Sequence, residues 1–149
     1  MKYIAYGSNM STDQMAYRCP DAKLISTGRL QGAQLEFFLH ATVERSQIKN
    51  AFVPVAIWEI SKADEKHLDR YEGYPSYYIK EEWMVHMDDG SQIKGMIYLM
   101  NHKRYSLPTT EYYNGMQAAS IQTACKQPSS ARKALDRSGT PVPFALYCA

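Results

Sequence analysis

Met1-Lys2-Tyr3-Ile4-Ala5-Tyr6-Gly7-Ser8-Asn9-Met10 opens the chain with a strand that runs directly into a tight turn. Residues 3–6 have strand-forming character, and Gly7-Ser8-Asn9 breaks the run with small, turn-favouring residues. We expect this tight turn to need the geometry of glycine at Gly7. Residues 11–17 are typical of a short helix capped by Asn9 or Ser11. A strand, a turn and a helix N-terminus in this order leave several backbone N–H groups unpaired and pointing one way. The stretch therefore predicts a site for an anion or a developing oxyanion, although the motif alone also fits an ordinary turn.

Composition and charge limit what the chain can do. Its 149 residues suit a single domain, 1–149, with one hydrophobic core. The net charge is +2 and the Lys and Arg residues are scattered, so we expect no nucleic-acid partner. No apolar run reaches the roughly 20 residues of a membrane helix, and the N-terminus lacks the pattern of a signal peptide. We therefore expect no membrane partner and a cytoplasmic location.

The spacing of the cysteines and the absence of common cofactor-binding and catalytic motifs argue against a metal or a cofactor. Cys19, Cys125 and Cys148 are odd in number and far apart, which favours reduced thiols over a disulfide framework or a structural zinc site. The chain lacks a phosphate-binding loop, a dinucleotide fingerprint and an H-E-x-x-H pair. Ser8 lacks the second glycine of a nucleophile elbow, so covalent serine chemistry is not expected.

Alternation of apolar and polar residues predicts a sheet. Strands are predicted over residues 23–30, 33–39, 51–60, 77–87 and 91–100. Asp88-Asp89-Gly90 predicts a hairpin between the last two of them, and Pro54 indicates an edge position or a bulge in the third. Residues 40–50 are polar and unpatterned, so we predict a loop. His40 could be a proton-transfer group near a site, and we interpret it as a surface residue.

A helix is predicted over residues 61–72. Ser61 and Asp64 have the spacing of a capping box, and Gly73 is placed to end the helix in the left-handed conformation. Pro75 prevents the helix from resuming. A further helix is predicted from residue 107, with Tyr112 on its apolar face, then a short helix over 131–137 and an apolar tail over 141–147.

Glu72 is displayed at the sharp exit of the helix over residues 61–72. A carboxylate is disfavoured at the negative end of a helix, and four tyrosines nearby in sequence can remove water from it. These tyrosines are Tyr71, Tyr74, Tyr77 and Tyr78. Both effects predict a raised pKa for Glu72; the alternative is an ordinary exposed Glu at a helix end.

Three stretches together resemble the gamma-glutamylcyclotransferase-like superfamily. They are the Tyr6-Gly7-Ser8-Asn9 loop, the Glu72-Gly73 pair within residues 68–75, and the Pro108-Thr109 helix start that precedes Tyr112. Arg18-Cys19-Pro20 also resembles the end of the first helix in this family. The likeness extends over residues 3–123 by motif spacing.

The resemblance implies an α+β fold in which a small, strongly curved mixed sheet or partial barrel is flanked by helices. It also implies a cofactor-free, metal-free cyclisation of a γ-glutamyl amine or peptide to 5-oxoproline, with release of the amine. Glu72 would be the general base and then the general acid. The substrate would be bound by Tyr6, Gly7, Ser8, Asn9, Tyr78 and Tyr112.

Two other functions stay open. The same fold can serve as a non-catalytic binding module for a small acidic metabolite, although pure binding of an anion gains nothing from a carboxylate aimed into the site. The other alternative to the enzyme is a structural or interaction protein that uses the apolar tail over 141–147. We expect a monomer or weak homodimer. The identity of the leaving amine is open, since glutathione, γ-glutamyl amino acids and γ-glutamyl-lysine share the half that the motifs address.

Overall fold

The computed structural model describes residues 1–38, 40–101 and 109–116. The strands are β1 (Lys2–Ala5), β2 (Lys23–Gln31), β3 (Ala33–Phe38), β4 (His40–Arg45), β5 (Phe52–Glu59), β6 (Tyr78–Met87) and β7 (Gln92–Met100). The helices are α1 (Thr12–Arg18) and α2 (Lys62–Glu72), with a 3₁₀ turn at Ser8–Met10 and a helical segment at 110–116. The predicted helix over 131–137, the tail over 141–147, Cys125 and Cys148 lie outside the described residues.

Five of the strands close into a small barrel in the order β1-β5-β2-β6-β7. β1 and β7 are parallel, and the other neighbours are antiparallel. The sheet is therefore mixed, and with the helices packed against it the fold is α+β, as predicted. Two-residue pairing of β2 with β6, at Gly28 and Arg29, completes the ring.

β1 is buried on both faces because it separates two apolar clusters. Ile4 belongs to a cluster that draws on all five barrel strands, which identifies that cluster as the barrel interior. Tyr3 and Ala5 point the other way, toward Met15 of α1 and Leu68 of α2. Because its side chains alternate, β1 contacts the barrel interior with one face and both helices with the other. The turn that follows β1 therefore lies where the barrel meets the helices.

The prediction of a loop over residues 40–50 is wrong for the first half of this segment. Residues 40–45 form β4, which pairs residue for residue with β3 as a hairpin outside the barrel ring. Ala41, Thr42 and Val43 are all buried, so the strand does not alternate and its pattern was not recognisable. Thr42 Oγ1 accepts the backbone N–H of Met100 at 3.0 Å and fixes the hairpin against β7.

Pro54 lies in an interior strand of the barrel, contrary to the edge position or bulge that we predicted; the register shift between β2 and β5 lies at Leu24 and Ser26 instead. β5 pairs with β2 along its whole length, and Pro54 faces Arg29. On its other side β5 pairs with β1 only from Ala56 to Glu59. Pro54 therefore lies beyond the end of β1, so its missing N–H costs no ladder bond on the β1 side of β5.

Candidate active site

A cleft of about 1430 Å³ opens between the turn after β1, the end of α2 and the β3–β4 hairpin. It collects every residue that the sequence assigns to the site, namely Tyr6, Gly7, Ser8, Asn9, Glu72, Tyr78 and Tyr112. These residues come from four separate parts of the chain. The structure therefore brings together one carboxylate, one turn and three phenols on a common surface.

The end of α2 places Glu72 in the cleft. Gly73 has φ 64° and ψ 35°, the left-handed conformation predicted for it. Its N–H donates to the Arg70 carbonyl at 3.3 Å, and the N–H of Tyr74 donates to the Asp69 carbonyl at 2.9 Å, which is the Schellman pattern. The helix starts with the predicted capping box of Ser61 and Asp64. Because both helix ends are closed by local bonds, the orientation of Glu72 is well defined.

Ion pairs hold α2 against β6. Lys80 Nζ lies 2.7 Å from Asp69 Oδ1 and 2.6 Å from Glu65 Oε1. Tyr98 on β7 donates its hydroxyl to the same Asp69 oxygen at 2.5 Å. Asp69 lies about one turn before Glu72, so these contacts fix the last turn of the helix relative to the barrel.

The carboxylate of Glu72 is held by the turn after β1. Asn9 is 4% exposed, and its Nδ2 donates to Glu72 Oε1 at 3.0 Å and to Tyr3 Oη at 2.8 Å. The helix cap that we assigned to Asn9 or Ser11 is Ser11, whose Oγ accepts from the Gln14 N–H at 3.4 Å. Asn9 is therefore available to link β1 and α2 at the site.

Burial raises the pKa of Glu72 to about 7, against the opposing effects of the Arg18 charge and the Asn9 hydrogen bond. The raised pKa that the sequence predicts is present. Of the four tyrosines that we expected to remove water from Glu72, Tyr71, Tyr74 and Tyr77 are exposed, and Tyr78 lines the cleft beside Glu72. Other groups near the carboxyl, such as Tyr3 and Tyr112, come from distant parts of the chain. A carboxyl with this pKa exchanges protons readily near neutral pH.

The raised pKa of Glu72 makes the stability of the protein depend on pH. The native state binds the Glu72 proton more tightly than the unfolded chain between pH 4.5 and about 7, so the free energy of unfolding falls as pH rises through this window. We expect the parent protein to lose up to about 3 kcal/mol relative to Glu72→Gln between about pH 4 and pH 8. Urea unfolding at several pH values measures this difference. A constant difference across the window would contradict the raised pKa.

Three phenols converge on the backbone of Ala41 in β4. Tyr78 donates to the Ala41 carbonyl at 2.9 Å, and Tyr6 lies 3.4 Å from the same oxygen while donating to the Tyr98 carbonyl at 2.7 Å. The Ala41 N–H donates to Tyr112 Oη at 3.1 Å. The hydroxyls of Tyr6 and Tyr78 thus have their hydrogens committed to carbonyls and offer acceptors to the cleft. Within the described part of the chain, Tyr112 accepts from the backbone, and its own hydrogen is not committed to an acceptor.

Gly7 does not need the conformational freedom of glycine that we predicted for the tight turn. Its φ is −119° and its ψ is −142°, and a Cβ built there would meet nothing within 4 Å. The turn closes through Met10 N–H to the Gly7 carbonyl at 2.9 Å and Ser11 N–H to the Ser8 carbonyl at 3.1 Å. The N–H groups of Gly7, Ser8 and Asn9 come at the start of this 3₁₀ turn and therefore do not take part in these two bonds.

The open space at Gly7 leads to a specific expectation. We expect Gly7→Ala to change the free energy of unfolding by less than about 1 kcal/mol, because φ lies outside the left-handed region and the added methyl group meets no atom. Gly7→Val adds bulk on the cleft side and is expected to weaken ligand binding while the protein stays folded. Thermal unfolding and calorimetric titration with 5-oxoproline separate the two effects. A large stability loss in Gly7→Ala would show that the turn does require glycine.

Sequence reasoning missed several residues of the cleft. Arg18 donates to Ser8 Oγ at 3.0 Å and to Asn9 Oδ1, and Tyr3 accepts from Asn9. His40 is exposed, as predicted, yet it lines the cleft with its ring centroid 5.0 Å from that of Tyr112. The Arg18-Cys19-Pro20 motif was the one sequence signal that pointed to Arg18. It marks the end of the helix, but it does not show which groups the guanidinium contacts.

Among residues 1–38, 40–101 and 109–116, no group of three or more His, Cys, Asp or Glu side chains is arranged to hold a metal ion. The helices in the same part of the chain are too short or too polar to cross a membrane.

Comparison with known proteins identifies the family. The family model described as "Gamma-glutamyl cyclotransferase, AIG2-like" matches residues 3–115. The chain is 31% identical over 121 residues to the Gamma-glutamylcyclotransferase of Mus musculus and 28% identical over 122 residues to that of Homo sapiens. Each match covers 74% of this chain and 64% of the relative, so the chain spans less than two thirds of the length of these relatives.

The fold agrees with that assignment. A solved structure described as "Gamma-glutamyl cyclotransferase" superposes with a TM-score of 0.75 and 26% sequence identity, over 83% of this chain and 79% of that one. The matched residues 3–115 include both helices, the turn after β1 and the whole barrel except the first residue of β1. The chain belongs to the gamma-glutamyl cyclotransferase, AIG2-like family.

Proposed function

We propose that the protein cyclises γ-glutamyl amines or peptides to 5-oxoproline and releases the amine. The observation that carries the proposal is the Glu72 carboxyl, which is held by Asn9 in a cleft and whose pKa is raised to about 7. Membership of the family and the similarity to proteins named Gamma-glutamylcyclotransferase support the same conclusion.

The reaction needs a group that takes up and returns a proton. The α-amine of the substrate is an ammonium in neutral water, so it must lose a proton before its nitrogen can attack the γ-carbonyl carbon. The bond from that carbon to the leaving nitrogen then breaks, and the leaving nitrogen must gain a proton. Glu72 serves as the base in the first step and as the acid in the second. A pKa of about 7 suits both steps at neutral pH.

The turn after β1 supplies hydrogen-bond donors for the negative charge. The leading amides of the turn, at Gly7, Ser8 and Asn9, are suited to hold the substrate carboxylate or the oxyanion that forms on the γ-carbonyl. Tyr112 adds a hydroxyl donor, while Tyr6 and Tyr78 offer acceptors for the substrate amine. The substrate itself supplies both nucleophile and electrophile, so the protein contributes orientation, proton transfer and charge stabilisation.

A substrate panel tests the proposal. The purified protein is incubated with glutathione, γ-glutamyl-alanine, γ-glutamyl-ε-lysine and γ-glutamyl-anilide, and 5-oxoproline is measured by mass spectrometry against samples without protein. We expect catalytic 5-oxoproline formation from at least one of them, and the ranking of rates identifies the preferred leaving amine. Tight binding of γ-glutamyl compounds with no product above the blank would instead support the non-catalytic binding module.

A further inference from the structure

Arg18 ends α1, and its side chain reaches back to the turn after β1. Its Nη1 donates to Ser8 Oγ at 3.0 Å and also to Asn9 Oδ1. The guanidinium lies over the ring of Tyr71, 3.9 Å from the ring centroid. A guanidinium that is stacked and hydrogen-bonded at the same time has few orientations left to it.

The contact with Arg18 decides which way the Asn9 carboxamide faces. Arginine has donors and no acceptor, so the Asn9 atom turned toward it must be the oxygen. Nδ2 then faces the other way and gives its two hydrogens to Tyr3 Oη and Glu72 Oε1. If the carboxamide were reversed, two donors would meet at Arg18 and two acceptors would meet at Glu72. Both contacts would be lost together.

We propose that Arg18 is a positioning residue: by fixing the Asn9 carboxamide, it keeps Glu72 Oε1 occupied as an acceptor and leaves Oε2 as the oxygen that exchanges protons with the substrate. An oxygen that accepts a hydrogen bond from an amide is a poor site for a proton, so the neutral carboxyl carries its hydrogen on Oε2. The proton exchange rests on the proposed function. The orientation of Asn9 does not.

Five phenols near Glu72 cannot supply a positive charge in place of Arg18. Tyr3, Tyr6, Tyr78, Tyr98 and Tyr112 each interact with its carboxyl, as does Arg18. Burial raises the pKa of each phenol, so all five stay neutral in the working pH range. Among these groups, Arg18 is the one that carries a positive charge, and it opposes the effect of burial on the pKa of Glu72.

The orientation of Asn9 is tested without substrate. Arg18→Met keeps the length of the side chain and removes its charge and donors. We expect the Asn9 side-chain amide hydrogens to exchange with solvent about tenfold faster in this variant, because the carboxamide is free to rotate. The matched control is Arg29→Met, which removes a guanidinium paired with Asp88 at 3.5 Å, away from the cleft residues. It should leave the exchange rate unchanged.

The kinetic part is a double-mutant cycle with Asn9→Ala. Arg18→Met is expected to lower kcat by about tenfold and to change KM by less than about threefold, because it disturbs proton transfer more than binding. In the Asn9→Ala background the same substitution should lower kcat by less than about twofold, since Arg18 acts through Asn9. Arg18→Leu, which also lacks the charge and the donors, gives the same test if Arg18→Met does not fold.

The outcomes separate this inference from the proposed function. Exchange of the Asn9 amide hydrogens as slow in Arg18→Met as in the parent would overturn the positioning role, whether or not any substrate is turned over. Fully additive losses of kcat in the cycle would overturn it as well, because Arg18 would then act independently of Asn9. If the parent makes no 5-oxoproline from any compound, the proposed function fails, and the exchange measurement still decides the orientation.

Discussion

Glu72→Gln is expected to lower kcat for 5-oxoproline formation by about a hundredfold or more, with the affinity for substrate largely retained. Glutamine matches the shape of glutamate, and its side-chain oxygen can still accept from Asn9 Nδ2, which now donates to Glu72 Oε1 at 3.0 Å. It cannot take a proton from the substrate ammonium or return one to the leaving nitrogen. Steady-state kinetics on the best substrate of the panel, with binding of a 5-oxoproline probe, measure both effects.

The matched control for Glu72→Gln is Glu82→Gln. Glu82 is exposed on β6, and its carboxylate pairs with Lys94 at 2.5 Å outside the cleft lining. We expect that variant to turn over substrate within about threefold of the parent rate. A folded Glu72→Gln variant that works at the parent rate would refute the assignment of Glu72 as base and acid.

The pH dependence of kcat/KM should follow the ionisation of Glu72. The base form is required for attack, so the rate is expected to rise about tenfold per pH unit below the pKa and to level off above it. With a pKa of about 7, the rate at about pH 5 should be roughly 1% of the plateau. Initial rates between about pH 5 and pH 8.5, with a substrate whose amine titrates above this range, give the profile.

The variant Glu72→Gln tests whether this ascending limb belongs to Glu72. Its residual rate should lack the limb near pH 7, because glutamine does not titrate. An ascending limb near pH 4.5 in the parent would mean that the carboxyl behaves as an ordinary one and that burial does not raise its pKa. A limb near pH 7 that survives in Glu72→Gln would assign the titration to another group.

Local chemistry made part of the fold predictable. The capping box at Ser61, the left-handed Gly73 and the Asp88-Asp89-Gly90 hairpin are each specified by residues close in sequence, and all three occur as predicted. β4 was missed because its own residues do not alternate between apolar and polar, and it forms a strand by pairing with β3. Closure of the barrel through β1 and β7 depends on contacts between residues more than ninety positions apart, as in the pair Tyr3 and Met96. No local pattern encodes such a pairing.

The residues of the site also differ in how far they could be predicted from local sequence. Glu72 and the turn of Gly7-Ser8-Asn9 were recognisable because each is a short motif with its own geometry. Their partners are not neighbours in sequence: Asn9 meets Glu72 across 63 positions, and Tyr112 meets Ala41 across 71. Arg18 was visible as the end of a helix, but the direction of its guanidinium follows from how the turn folds back on α1.

Ala41 meets the three phenols of the cleft through its peptide groups, and its methyl group has no part in those bonds. The identity of residue 41 can therefore vary among small side chains that fit its buried position without disturbing the phenols. The length of the hairpin cannot vary in the same way, because one residue added or removed between Ala33 and Arg45 would shift the peptide that Tyr78 and Tyr112 contact. We expect relatives with this cleft to tolerate substitution in the hairpin far better than insertion or deletion.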